Sequence, residues 1–189
     1  KKGVSLVTAE GYKISCKKLV HATGYESTEK IDKKFVRLSA TYAVASEQFN
    51  TRNRVLDEGV LLWSTATPYF YMRTTNDNRI LVGGRDQDFV SSHKRDELIS
   101  KKSCQLVKDF QQLIPGVDFK KEFSWAGTFG STKDGLPVIG PYHKFPNSLF
   151  ALGFGGNGIT FSLIAARILR DIIKGRLNKD SSLFSFERL

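Results

Sequence analysis

Cysteine, proline and long apolar runs are scarce in this sequence, and each scarcity excludes a class of protein. The two cysteines, Cys16 and Cys104, stand far apart and form no CxxC pair, so we predict reduced thiols in a cytoplasmic protein and no disulfide framework. Five prolines and a hydrophobic content of 40% exclude a largely disordered chain. No apolar run approaches the roughly 20 residues that cross a bilayer, so no transmembrane segment is predicted. The opening segment KKGVSLVTAEGYKISCKK also lacks the apolar core of a signal peptide.

Acidic residues are fewer than basic ones, which gives a formal net charge of +10. Such a charge is compatible with a nucleic-acid partner. However, the basic residues alternate with acids, as in KRDE at residues 94–97, and no arginine-rich stripe carries interleaved aromatics. We therefore predict a solvated basic surface and no nucleic-acid partner. The three histidines have no spacing typical of a metal site, so no metal is predicted either.

The hydrophobic pattern predicts an α+β protein with an antiparallel sheet. The predicted strands lie at residues 4–8, 13–22, 36–49, 60–64, 69–75, 79–84 and 117–130. Residues 75–78, TNDN, predict a hairpin, since Asn and Asp tolerate a positive φ angle. Three- and four-residue apolar spacing predicts one helix over residues 93–114, which Pro115 and Gly116 end.

Two strand ends in the sequence are candidates for ligand contact. The apolar run LVHA at residues 19–22 stops at Thr23-Gly24, which predicts a parallel strand whose carboxyl end meets a ligand. Residues 149–175 indicate a second apolar strand, a turn with four glycines and an amphipathic helix over residues 158–174. The free N–H groups and the dipole at the start of that helix would hold an anion or a cofactor carbonyl. For the first segment, the alternative is a strand that simply ends at a glycine. For the second, the alternative is a tight turn in which each glycine serves only to adopt a φ angle that other residues disfavour.

Candidate substrate residues stand in the β-rich middle of the chain. Tyr69, Tyr71 and Arg73 have the spacing of two that places side chains on one face of a strand. They would line a pocket for an anionic group, with Arg73 as its bidentate partner. An outer-face arginine beside two packing tyrosines is the alternative. Trp125 is the remaining candidate, and the alternative for it is a place in the core.

Three separated motifs carry a resemblance to a known family. They are LVHATGY at residues 19–25, STKDGLPVIGP at residues 131–141 and GFGGNGIT at residues 153–160. Their order and spacing resemble those of FAD-dependent oxidoreductases of the D-amino-acid oxidase and glycine oxidase superfamily. RILVGGRD at residues 79–86 is also similar to a strand of that family's substrate domain. The resemblance covers nearly the whole chain.

The resemblance implies FAD as the cofactor and a division of the chain into three parts. Residues 1–36 and 131–189 would belong to an α/β FAD-binding domain, and residues 37–130 to the substrate domain. The implied cofactor-binding residues are Thr23, Gly24, Asp134, Gly135, Gly153, Gly155, Gly156, Asn157, Gly158, Ile159 and Thr160. Asn157 has an alternative role as a simple helix cap, and Asp134-Gly135 as a plain turn.

Two departures from the family pattern modify these expectations. No G-x-G-x-x-G turn is present, so the chain resembles the C-terminal portion of the family, and we expect it to be inactive and to bind FAD weakly by itself. Several amino-acid oxidases of the family carry a carboxylate-binding arginine before the D-G-x-P motif. Residues 125–130, WAGTFG, contain none, which makes a simple α-amino acid a less secure substrate.

The function implied is oxidation of a small amine or amino acid at the carbon next to nitrogen, with hydride transfer to flavin. No side chain is assigned a catalytic role, because the flavin carries the chemistry. Oxygen and a quinone-type partner are both open as electron acceptors. The alternatives are oxidation of a 2-hydroxy acid or a glycerol phosphate, and a non-catalytic module that binds a protein or RNA. An upstream G-x-G-x-x-G strand in the coding sequence would favour the enzyme over the module.

Overall fold

A computed structural model of the chain describes residues 3–31, 35–50, 55–57, 59–65, 67 and 69–189. The chain divides into two compact units. The first unit contains Lys1–Leu38 and Phe129–Leu189, and the second contains Ser39–Thr128. The sequence placed its domain boundaries after residues 36 and 130, whereas the structure places them after Leu38 and Thr128. The ligands assigned to each part remain predictions.

The first unit begins with an antiparallel hairpin of β1 (Val4–Val7) and β2 (Lys13–Cys16), followed by β3 (Leu19–His21). The single strand predicted over residues 13–22 is therefore wrong. β2 pairs with β1, whereas β3 belongs to another sheet. The exposed pair Lys17-Lys18 separates them, because the backbone must change direction between an antiparallel and a parallel partner.

The second sheet of the first unit has the strand order β3-β10-β9, with β9 at Val138–Pro141 and β10 at Ser148–Leu152. β10 pairs in parallel with β3 and antiparallel with β9. All five residues of β10 are buried, because both faces of this strand are covered. The parallel strand predicted for the run that ends at Thr23 is confirmed.

Helix α3 (Gly158–Ile173) covers one face of β10, and its predicted extent is confirmed. Ala165, Ile168 and Leu169 of the helix pack with Leu149 and Ala151 of the strand. The opposite face of β10 is covered by a cluster of aromatic rings. These are Phe35, Tyr142, Phe145, Phe150 and Phe186. Apolar residues alternate between the two faces, as a strand that is covered on both sides requires.

Three short 3-10 helices whose bounds lie within the described residues of the first unit escape sequence prediction, since they are too short to show a period. The first, Gly24–Glu29, begins directly after Thr23, which follows β3. The other two, Ser181–Phe184 and Phe186–Arg188, follow α3. Phe184 and Phe186 are buried and anchor them.

The second unit contains most of a five-stranded sheet with the order β5-β6-β7-β4-β8. The strands are β4 (Arg37–Ser46), β5 (Leu61–Trp63), β6 (Phe70–Thr74), β7 (Ile80–Asp88) and β8 (Lys121–Ser131). β7 pairs antiparallel with β4 and β6, and β6 pairs antiparallel with β5. The α+β class and the antiparallel sheet are thus confirmed. The predicted hairpin is also confirmed, with Asn78 at a φ angle of 60°.

Two helices lie where the sequence predicted one helix over residues 93–114, so the prediction of a single continuous helix is wrong. They are α1 (Ser92–Glu97) and α2 (Ile99–Leu113). Leu98 separates them, and its N–H bonds back to the carbonyl groups of Arg95 and Asp96. α2 then packs Leu106 and Phe110 onto the core face of the sheet. Its predicted end is confirmed, since Gly116 follows with a φ angle of 91°.

No helix in the described parts of the chain is long and apolar enough to cross a membrane.

Gly84 in β7 provides a test of this sheet. A Cβ there would come within 2.2 Å of the Tyr69 carbonyl oxygen, and its φ angle is 135°. We expect Gly84→Ala to lower the free energy of unfolding by about 2 kcal/mol or more, because backbone strain and a backbone clash add. The matched change Gly127→Ala in β8 should cost little, since its nearest neighbour is the Thr41 methyl group at 3.5 Å. Chemical denaturation of both variants measures the difference, and equal losses would contradict the register.

Candidate functional site

Two predicted ligand-binding segments of the first unit lie at one edge of its parallel strand pair. His21 is the Cα partner of Phe150 in the register of β3 and β10. Because the strands run in the same direction, both carboxyl ends reach the same edge. Thr23 and Gly24 follow β3 at this edge, and the glycine-rich turn at residues 153–157 follows β10. The structure therefore brings together segments that are about 130 residues apart in the sequence.

The four glycines of the turn divide into two pairs with different constraints. Gly153 and Gly155 have φ angles of 77° and 54°, and a Cβ on Gly153 would lie 2.8 Å from the Thr132 methyl group. Local geometry thus explains both of them. Gly156 and Gly158 have no such φ angle, and a Cβ at either position would meet no atom within 4 Å. The alternative of a glycine at each awkward φ angle is therefore wrong for this second pair.

The start of α3 presents its N–H groups without a side-chain cap. Asn157 occupies the N-cap position but its side chain makes no capping hydrogen bond, so the alternative role of Asn157 as a simple cap is wrong. The first helical bond runs from the Phe161 N–H to the Asn157 carbonyl. Consequently the N–H groups of Gly158, Ile159 and Thr160 precede the helical ladder. The Ile159 residue is 93% exposed, an unusual position for a large apolar side chain.

A second loop, residues 131–137, lies directly against the glycine-rich turn. The Gly155 N–H donates to the Gly130 carbonyl at 2.9 Å. An isolated antiparallel bridge also joins Ser131 to Phe154. Loop and turn are thus fixed relative to each other by backbone bonds, which is the precondition for a site built from both.

The Asp134 carboxylate of this loop is occupied by internal partners. Arg188 donates from Nε at 2.5 Å and from a terminal nitrogen at 3.1 Å, and the Leu136 N–H donates at 3.1 Å. These bonds, with that of Arg188 first, lower the pKa of Asp134 from its usual value. Arg188 also donates to the carbonyl groups of Leu136, Pro137 and Leu183. Sequence reasoning missed Arg188, because no local pattern connects residues 54 positions apart.

Thr23 and Gly24 are exposed at the end of β3. The Thr23 hydroxyl lies 2.8 Å from that of Ser27, and Gly24 has a φ angle of 63° with open space at its Cβ position. Gly135 has a φ angle of 78° and open space as well. These residues are shaped for turns that expose the backbone, and a cofactor contact at each remains a prediction.

Tyr71 and Arg73 share one side of β6 in the second unit, and Tyr69, which directly precedes β6, stacks on Tyr71. Met72, between Tyr71 and Arg73, is fully buried in the core under α2. The rings of Tyr69 and Tyr71 are stacked with centroids 6.0 Å apart. Tyr71 lies on the backbone of Gly83, where a Cβ would come within 2.2 Å of the phenol oxygen. The predicted common face is thus confirmed, whereas the role of these side chains in substrate binding is still a prediction.

Asp86 in β7 belongs to the same tyrosine cluster, and sequence reasoning missed it. Burial raises the pKa of Tyr69 to about 12, with the negative charge of Asp86 as the next cause. Burial and the Asp86 charge also raise the pKa of Tyr71. Within the described residues, Asp86 Oδ1 is buried and has no hydrogen-bond partner. The cluster consequently combines two neutral phenols with a carboxylate beneath them.

Arg73 and Trp125 are both accessible. Arg73 is exposed and lines a cavity of about 310 Å³ between the start of β5 and the end of β6. The other lining residues are Gly59, Val60, Leu61, Thr74, Thr75 and Asn76. Trp125 is 42% exposed, while its neighbour Ala126 packs against the core. The alternative that placed Trp125 in the core is therefore wrong. No group of three or more His, Cys, Asp or Glu side chains is placed to hold a metal ion in the part of the chain that the structure describes.

Comparison with known proteins gives a family for this arrangement. The family described as "DAO: FAD dependent oxidoreductase" matches residues 1–172. The γ-glutamylputrescine oxidoreductase of Escherichia coli is 33% identical over 56% of this chain and 23% of its own length. A D-amino acid dehydrogenase of Azorhizobium caulinodans is 35% identical over 64% of this chain and 29% of its own length.

Solved structures share the fold as well. A glycine oxidase from Geobacillus kaustophilus superimposes with a TM-score of 0.68 and 22% identity, over 97% of this chain and 48% of that protein. The chain therefore spans about half the length of this solved structure and about a quarter of the length of the two relatives by sequence.

The Asp134–Arg188 bond predicts a pH-dependent contribution to stability. Because folding depresses the pKa of Asp134, its contribution is present above the unfolded pKa of about 3.9 and is lost as the pH falls through the folded value. We expect Asp134→Asn to lower the thermal midpoint by at most roughly 2–4 °C at pH 7, because solvent screening of this partly exposed carboxylate limits its contribution to about 1 kcal/mol or less. Below about pH 4 the difference from the unchanged protein should shrink.

Thermal unfolding across this pH range measures the effect. Glu187→Gln removes an exposed carboxylate next to Arg188 and should have little effect. A loss for Asp134→Asn that persists unchanged at low pH would mean that the side chain acts through shape and not through its charge.

Proposed function

The chain belongs to the DAO family of FAD-dependent oxidoreductases, and from this premise we propose that the protein oxidises a small amine or amino acid at the carbon next to nitrogen. The observation that supports this best is the pair Gly156 and Gly158. Packing within the chain does not require glycine at either position, because a Cβ there would meet no atom within 4 Å. Both stand at the uncapped start of α3, beyond the carboxyl ends of two parallel strands.

This edge of the first unit fits a flavin. An open backbone at Gly156 and Gly158 permits close approach of a planar ring edge. The N–H groups of Gly158, Ile159 and Thr160, together with the positive end of the α3 dipole, would stabilise electron density on a ring carbonyl. When bound, FAD supplies the redox chemistry by accepting a hydride from the substrate carbon.

The remaining cofactor residues receive distinct roles in this proposal. Thr23 and Gly24 contribute backbone at the end of β3, and Asn157 contributes to the rim of the turn. Gly153 and Gly155 shape the turn. Asp134 and Gly135 shape the neighbouring loop, since both oxygens of Asp134 are already bonded within the protein. Asp134 is thus proposed as a positioning residue and not as a direct ligand of the cofactor.

Tyr69, Tyr71, Arg73 and Trp125 are proposed as substrate-binding residues. All are accessible to some degree on the second unit, and Arg73 adjoins a cavity. A guanidinium group binds carboxylates in bidentate geometry, so Arg73 would orient an acidic substrate group. Relatives by sequence are named for γ-glutamylputrescine and for D-amino acids, and this supports a nitrogen-bearing substrate over a 2-hydroxy acid or a glycerol phosphate. Similar proteins include oxidases and dehydrogenases, so oxygen and a quinone-type acceptor both stay open.

Gly156→Val tests the proposed cofactor edge. In the FAD-binding protein, a branched side chain would enter the space in front of the turn and weaken FAD affinity by at least about tenfold, the effect of losing roughly 1.4 kcal/mol. The apoprotein should unfold within about 2 °C of the unchanged protein, because no neighbouring atom is displaced. Flavin titration and thermal unfolding of the apoprotein provide the two measurements.

Gly153→Val is the matched comparison. It should destabilise the apoprotein itself, given a φ angle of 77° and the close Thr132 methyl group. If Gly156→Val unfolds the apoprotein but retained FAD stays at one per chain, the glycine is structural and the proposed edge is misplaced.

Arg73→Ala tests the charge of the substrate. A charge-assisted hydrogen bond is worth roughly 1.5–3 kcal/mol, so kcat/KM for carboxylate-bearing amines should fall on the order of tenfold to a hundredfold. Neutral alkylamines should be much less affected, since they present no group to the guanidinium. Steady-state kinetics with both substrate classes measures the split.

Lys101→Ala is the control for general loss of positive charge, because Lys101 is exposed on α2. An equal loss for both substrate classes in Arg73→Ala would indicate misfolding or cofactor loss. No loss for either class would mean that Arg73 belongs to the solvent-exposed surface.

A further inference from the structure

We propose that Tyr69, Tyr71 and Asp86 form a subsite for a second ammonium group of the substrate, distinct from the nitrogen whose neighbouring carbon is oxidised. This inference rests on the proposed amine oxidation and adds a substrate class to it, namely diamines and amines with another cationic group. It is carried by two features of the second unit: a pair of stacked rings, and a neighbouring carboxylate that forms no ion pair within the described residues.

The ring pair provides a surface that attracts cations. Tyr69 and Tyr71 are half-buried and stacked, with an interplanar angle of 24°. Gly83 permits Tyr71 to lie flat on the strand, since any side chain there would collide with the ring. The faces of tyrosine rings attract ammonium groups within about 6 Å of the centroid. The two rings thus form a wall suited to a cation on the side of the sheet away from α2.

The charge of Asp86 is not neutralised by a neighbouring cation. Arg85 forms a two-point ion pair with Asp109 of α2. Lys102 donates to the Arg85 carbonyl oxygen at 3.1 Å. Both nearby cations thus have their closest partners elsewhere, and Asp86 forms no ion pair in the described ranges, although the Lys102 ammonium attracts the Asp86 charge from a longer distance. A half-buried carboxylate of this kind creates a negative potential behind the tyrosine rings.

The register of the two strands places Asp86 next to the ring pair. Phe70, the neighbour of Tyr69, pairs with Gly84 of β7, and burial together with the Asp86 charge raises the pKa of both Tyr69 and Tyr71. An ammonium group on the rings can interact with this charge and also donate to the Tyr69 oxygen, since it offers three N–H bonds.

The nitrogen held here differs from the reacting one for a chemical reason. Hydride loss from the neighbouring carbon requires the free lone pair of a neutral amine. A nearby carboxylate favours the protonated form of an amine instead. If the subsite near Asp86 bound the reacting nitrogen, it would keep that nitrogen protonated and oppose hydride loss. It can bind a remote ammonium group without opposing the reaction.

Amine binding to this chain tests the subsite without requiring turnover. The probes are 1,4-diaminobutane and 1,4-butanediol, which have the same length and differ in that only the diamine carries ammonium groups. We expect calorimetry or NMR of the tyrosine ring signals to show preferential binding of the diamine. Asp86→Asn should weaken its affinity on the order of tenfold, as expected for the loss of a charge-assisted interaction. The affinity for the uncharged diol should stay within about twofold.

Asp88→Asn is the matched control, since Asp88 is the next residue on the same side of β7 and is exposed. It should keep the affinity for the diamine. Tyr69→Phe removes the acceptor oxygen and should weaken the diamine several-fold, which gives a second test if Asp86→Asn does not fold. Equal affinities for the diamine and the diol, or equal losses of diamine affinity for Asp86→Asn and Asp88→Asn, would overturn the subsite. Absence of amine turnover by the FAD-loaded protein, with diamine binding intact, would instead contradict the proposed function alone.

Discussion

The parallel pairing of β3 with β10 is the constraint on which the candidate cofactor edge depends. It places Leu19 opposite Ser148 and His21 opposite Phe150, so two distant segments end at one edge. Burial fixes the register, because Leu149 and Ala151 face α3 while Phe150 and Leu152 face the aromatic cluster. A slip by one residue would exchange these faces and place rings under the helix. Core packing on both sides of one strand therefore determines where the glycine-rich turn begins.

The turn shows how one short segment combines structural and functional demands. Gly153 is required by its φ angle and by the Thr132 methyl group, and Gly155 by its φ angle. With the backbone held in this shape, the chain reaches Gly156 and Gly158 with ordinary backbone angles and open space ahead. Arg188 stabilises the neighbouring loop from the C-terminal end of the chain. Residues with a structural role thus hold the backbone that presents the proposed cofactor contacts.

Much of this arrangement follows from the sequence because its causes are local. The hairpin at residues 75–78 and the helix at residues 158–173 depend on turn chemistry and on apolar periodicity. The break at Leu98 escaped prediction, since the apolar spacing continues across it. Arg188 escaped because its partner Asp134 lies 54 residues away. Asp86 also escaped prediction. It lies near Tyr69 and Tyr71 only because β6 pairs with β7, and the sequence does not show that pairing.

The pairing of β6 with β7 also separates a positive and a negative side chain along the second unit, which the net charge of the chain does not reveal. The chain carries a formal charge of +10, yet the proposed substrate residues have opposite charges at opposite ends of β6. Arg73 pairs with Leu81, toward the hairpin, whereas Phe70, next to Tyr69, pairs with Gly84, toward Asp86. At about 3.4 Å per residue, Tyr69 and Arg73 stand on the order of 14 Å apart along the strand. A substrate with a carboxylate and a remote ammonium group would match both charges in one orientation and meet repulsion at both ends in the other. The two proposals therefore favour the same class of elongated substrate with charges at its ends, although each rests on different residues.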